Sequence, residues 1–151
     1  MYTLVLALHS WLRWVALAAG IMATVSAFSS SSKDAKGPAD VWGLVLMIAL
    51  DVQLLVGVLL YVGLSPFTAE AMADFGAAMR NPGLRFFAVE HVTLMLAAVV
   101  LAHVGRVLAR KAATPESRRT RLLICFGLAT VAMLMAIPWP GMTSGRPLFR
   151  L

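Results

Sequence analysis

Four apolar stretches, each long enough to cross a bilayer as a helix, take up most of this 151-residue chain. They run roughly over residues 4–28, 41–64, 85–109 and 122–137. About 20 apolar residues suffice for one crossing at 1.5 Å per residue. Inside hydrocarbon every backbone N–H and C=O must be bonded within the segment, so stretches of this kind become helices. Charged residues make up 13% of the chain, about half the share of a soluble domain. The expectation is an all-α, polytopic membrane protein: one domain over residues 1–151, with four transmembrane helices in an antiparallel bundle.

The punctuation between the stretches supports this division. After Phe28 comes a serine run with Lys33, Asp34, Lys36 and a Gly37-Pro38 pair, which cannot continue an apolar helix. Asp40 is placed to cap the second span. Ser65-Pro66 ends that span, residues 67–79 read as a short helix on the membrane surface, and Asn81-Pro82-Gly83 reads as a turn. Pro138-Trp139-Pro140-Gly141 closes the fourth span, with Trp139, like Trp11, Trp14 and Trp42, suited to the membrane–water interface. The N-terminal stretch has no basic leader region and contains His9 and Arg13, so it reads as a retained first span.

The net charge of +6 is concentrated in loops, chiefly Arg106, Arg110, Lys111, Arg118, Arg119 and Arg121 around the third loop. Basic residues flanking spans set orientation, so this pattern points to a bilayer and away from nucleic acid. It predicts the third loop and the Lys33/Lys36 loop on the cytoplasmic side. Both termini and the 65–84 segment then lie outside, in the inner membrane of a bacterium. Cys125, the single cysteine, excludes an intrachain disulfide and a zinc site of the cysteine type. No glycine-rich phosphate loop or hydrolase triad is present.

Polar residues inside hydrocarbon are expensive and mark sites. His9 lies five residues into the first span and His91 six into the third, and these two spans run in the same direction. Both histidines therefore sit about 8–9 Å below the outer surface. Two imidazoles at one depth in a bundle can serve as the axial ligands of a haem iron. Equally, each can hydrogen-bond to a neighbouring helix. Arg13, one turn below His9, is a partner for a haem propionate or for Glu90, and Arg85 lies near the same surface. His103 falls near the inner end of the third span and lacks a second histidine at its depth. Met22 and Met47 are the alternatives for a second haem, and both are ordinary packing residues as well. Asp51, near the middle of the second span, must pair, hold a proton or contact a partner subunit. Gln53 shares a different face with Gly57 and Tyr61. Phe86 and Phe87 line a cofactor pocket or pack among themselves.

Two segments carry a resemblance. Leu8-His9-Ser10-Trp11-Leu12-Arg13-Trp14 and Arg85-Phe86-Phe87-Ala88-Val89-Glu90-His91 place their histidines as the small four-helix b-type cytochromes of bacterial membranes do. The resemblance covers all four spans as architecture. It implies haem b bound by His9 and His91, with Arg13 and Arg85 on its propionates, electron transfer, and quinone contact. Many di-haem members carry four histidines in pairs, and this chain has three. Two other expectations stand beside it: a haemless accessory subunit of a larger membrane assembly or homo-oligomer, with Asp51, Arg13 and Glu90 fixing partner helices, and a small proton-coupled transporter using Asp51 and Glu90.

Overall fold

The computed structural model describes residues 1–29 and 37–148; the expected loop with Lys33 and Lys36 and the tail residue Arg150 lie outside them. The chain is an all-α four-helix bundle. Helix α1 covers Tyr2–Ser29. Helix α2 covers Pro38–Leu59 and ends in a π-helical turn over Leu60–Leu64. Two short helices follow, α3 (Pro66–Ala73) and α4 (Phe75–Arg80). Helix α5 (Pro82–Arg85) runs through a second π-helical turn, Phe86–Glu90, into α6 (His91–Arg110). Helix α7 covers Pro115–Ala136. Four of these stretches, Tyr2–Ser29, Pro38–Leu64, Pro82–Arg110 and Pro115–Ala136, are long and apolar enough to span a membrane.

Local chemistry moves several expected boundaries. Helix α2 starts at Pro38, whose fixed φ suits a first helical position. Asp40 acts from the third position, where its carboxylate accepts from the Gly37 N–H at 3.3 Å, so it is not the N-cap residue. The surface helix is two helices, because Asp74 leaves the helical conformation and caps the second by accepting from Ala77 N–H. Asn81-Pro82-Gly83 is no turn. Asn81 accepts from the N–H groups of Gly83 and Leu84 and so starts the third span. Thr114 and Pro115 likewise start α7 well before the apolar stretch, its hydroxyl accepting from Ser117 N–H.

The spans form a ring in which α1 packs on α2 and α7, and α6 packs on α7 and α2. Their inward faces are small. Ala16, Ala19, Ala23 and Ala27 recur at helical spacing on α1, and Ala98, Ala102, Gly105 and Ala109 on α6, all buried. Between membrane helices close van der Waals contact replaces the hydrophobic drive, which favours such residues. Larger core side chains, chiefly Leu46, Leu50 and Phe126, fill the space left. Large apolar residues such as Val15, Leu55, Val100 and Met135 face outward, where a bilayer supplies their surroundings.

The arginines at one end of the bundle satisfy the backbone as well as carrying charge. Arg119 donates to the carbonyls of Ala27 and Phe28, which the end of α1 leaves free. Arg121 donates to Leu108 O at 2.7 Å, Arg106 to Asp40 O at 2.9 Å, and Arg118 pairs with the Asp40 carboxylate.

Candidate functional site

At the opposite end of the bundle α1, α2 and α6 enclose a cavity of about 240 Å³. Its walls include His9 and Arg13 from α1, Gln53, Gly57 and Tyr61 from the second span, and His91 and Met95 from the third. The imidazoles of His9 and His91 stand on these walls with ring centroids 6.1 Å apart and planes inclined by 61°. The cavity is not sealed. Val58, Val62 and Leu96 on its rim between α2 and α6 are exposed.

Each histidine is held by a different device. His91 opens α6, directly after the π-helical turn. Its Nδ1–H donates to Ala136 O at 2.8 Å, a carbonyl that the end of α7 leaves without a helical partner. That bond fixes the ring and the tautomer, leaving Nε2 with a lone pair. His9 is held by Gln53, a buried residue of α2. The Gln53 side-chain amide donates to His9 O at 3.0 Å and to His9 Nε2 at 3.1 Å. With Nε2 accepting, the His9 proton belongs on Nδ1, which is buried and has no hydrogen-bond partner among the described residues. Gly57 makes room for the ring: a Cβ there would lie 3.2 Å from His9 Cε1.

Two π-helical turns frame the site, and they are joined. Tyr61, in the first, donates its hydroxyl to Ala88 O in the second at 2.9 Å. Thr68 from α3 then donates to Tyr61 O at 2.7 Å. Single π turns inside α-helices concentrate at functional sites because they re-aim side chains. Tyr61→Phe removes only the hydroxyl. We expect it to lower stability in detergent by about 1 kcal/mol and to loosen the register of His91, measured as a fall in the thermal midpoint.

The cationic side chains divide between the cavity and its surroundings. Arg13 lines the cavity, and its Nη2 donates to Leu148 O at 2.7 Å. Trp14 Nε1 reaches the same carbonyl at 3.3 Å, so the C-terminal tail folds back onto α1. Arg85 does not reach the cavity wall. Its Nε donates to Glu90 Oε1 at 2.7 Å in an exposed pair. The π turn between them explains this choice, since its wider winding brings residues five apart onto one side. Glu90 therefore pairs with Arg85 and not with Arg13. The second cation on the cavity is Arg146, a tail residue whose guanidinium carbon lies 4.2 Å from the Phe67 ring centroid and 5.3 Å from that of Phe87. Nothing in the sequence singles it out, because the tail has no periodicity to read.

Asp51 and His103 lie apart from the cavity. His103 Nε2 is 3.5 Å from Asp51 Oδ2, across α2 and α6. No cluster of three or more His, Cys, Asp or Glu side chains that could hold a metal ion occurs among the described residues. No protein-family model, curated protein or solved structure gives a significant match to the chain.

Proposed function

We propose that this chain is a haem b-binding electron-transfer subunit of a bacterial cytoplasmic membrane, with both termini on the outer face. The observation that carries the reading is the His9–His91 pair on the wall of one cavity. Their ring centroids lie 6.1 Å apart, and the pair would hold a haem iron between them.

The donor set suits the group. His91 offers Nε2 while its Nδ1–H is anchored on Ala136 O, the arrangement that orients most metal-bound histidines. His9 would offer Nε2, the atom that now accepts from Gln53, while the Gln53 bond to His9 O holds its backbone. On the open side between α2 and α6, Val58, Leu96 and Val99 would offer the group apolar contact. Arg13 and Arg146, the cationic side chains on the cavity wall among the described residues, would lie beside its propionates. A bound haem supplies a one-electron redox centre. The chain's own contribution would be to hold it at a fixed depth between apolar walls, with Arg13 and Arg146 beside it.

The direct test is potentiometric. Purified protein titrated in the presence of haem is expected to show a b-type spectrum with a single one-electron wave. Arg146→Gln removes a cation from beside the centre and therefore stabilises the oxidised, more positive state. Its midpoint potential is expected to fall relative to wild type, with haem content unchanged. An unaltered potential would remove Arg146 from the site, and the absence of any wave would remove haem.

A further inference from the structure

The Asp51–His103 pair has no part in the cavity, and its placement is costly. Asp51 is the midpoint residue of the span Pro38–Leu64. Both side chains are 44% exposed on the outside of the bundle, the surface that meets hydrocarbon. At 3.5 Å the contact is at the limit of a hydrogen bond, so it leaves the carboxylate short of partners. His103 Nδ1 donates to Val99 O at 3.0 Å within its own helix, which leaves Nε2 as the atom directed at Asp51. Around the pair the surface is apolar and exposed: Ile48 and Leu55 on α2, Val100 and Val107 on α6. A polar pair at the centre of an apolar face, inside the membrane, is not a lipid-facing surface in its final state.

We propose that this α2/α6 face is the interface with a second copy of the chain. Charge complementarity identifies the occupant. All copies insert in one orientation, so a twofold axis relating two of them runs along the membrane normal and preserves depth. Because Asp51 and His103 touch, they lie at one depth and side by side. Rotation about that axis sets Asp51 of each copy against the partner's His103, twice over. The face is thus self-complementary, as an isologous contact requires. A lone carboxylate would instead call for a basic residue from a different protein. The cluster of two carboxylates and two imidazoles satisfies the groups that one copy leaves under-bonded, and the apolar rim packs around it. This inference is independent of haem binding.

The test uses the full-length chain in liposomes with Cys125→Ala as background. Leu55→Cys, beside Asp51, is expected to be captured as a dimer by a short thiol cross-linker. Val131→Cys, exposed on α7, is expected to remain monomeric under the same treatment. Energy transfer between labelled copies, followed against protein-to-lipid ratio, gives the dimer affinity. Asp51→Leu is expected to weaken it by about threefold to thirtyfold. That change removes a polar group from hydrocarbon, so the bundle is retained, and unchanged helix content checks this. His103→Leu should act in the same direction. A monomer over the whole range, cross-linking at Val131 and not Leu55, or an Asp51→Leu affinity equal to wild type would overturn the proposal. So would capture of a different protein by Leu55→Cys in native membranes, which would assign the face to another subunit.

Discussion

His91→Ala is expected to reduce bound haem from about one per chain to near zero while the four-helix bundle persists. The variant removes one of the two proposed iron-holding histidines, and the single remaining one would hold haem weakly. It also strands Ala136 O, which accepts from His91 Nδ1 at 2.8 Å in the wild type. Losing that bond costs about 1–3 kcal/mol, so stability and haem must be read separately. His91→Met separates them further. Methionine cannot make the Ala136 bond, yet it can ligate iron, and a Met/His pair raises the potential. The expected result is haem retained in part, with a higher midpoint potential than wild type. Loss of fold in both variants, with haem content tracking folded protein, would make His91 a purely structural residue. Haem at wild-type stoichiometry in folded His91→Ala would exclude it as a ligand.

The second large effect lies in the packing of α6 on α7. A Cβ added at Gly105 would sit 2.5 Å from Cys125 Cβ, closer than two carbons can approach. Neither atom is the end of a flexible side chain, so the helices themselves must separate. Gly105→Leu is therefore expected to destabilise the bundle by about 3 kcal/mol, at the upper end of overpacking penalties. Gly105→Ala should cost less, and Cys125→Gly should recover part of that loss, because the two sites share one contact. Thermal unfolding in detergent measures each term. Equal stability of Gly105→Leu and wild type would mean that α6 and α7 are not in the close contact described.

The spans were legible because length and apolarity alone determine them: no other backbone arrangement satisfies its hydrogen bonds in hydrocarbon. The depth match of His9 and His91 was legible for a related reason, since rise per residue converts position into depth. What periodicity does not give is which helix stands beside which. Asp51 meets His103 because α2 adjoins α6 in the ring, and that adjacency has no signature in either span. The π-helical turn over Phe86–Glu90 shifts the winding that an ideal helix would have, so Arg85 turns to Glu90 and away from the cavity. Gln53 shares its face with Gly57 and Tyr61, and that face does line the cavity. Its role has no signature in the sequence, because a buried amide gains meaning only from the imidazole it holds. Arg146 depends on a tail that curls back through Arg146 N–H to Pro138 O and Gly145 N–H to Met142 O, a path no sequence pattern encodes.

The measurement that bears most directly on the central claim is a reduced-minus-oxidised absorption spectrum of the detergent-purified protein, expressed with haem available, together with a pyridine haemochrome count. The His9–His91 geometry predicts a b-type α-band at about one haem per chain. A featureless spectrum from protein with full helix content would contradict it, and the cavity would then need another occupant.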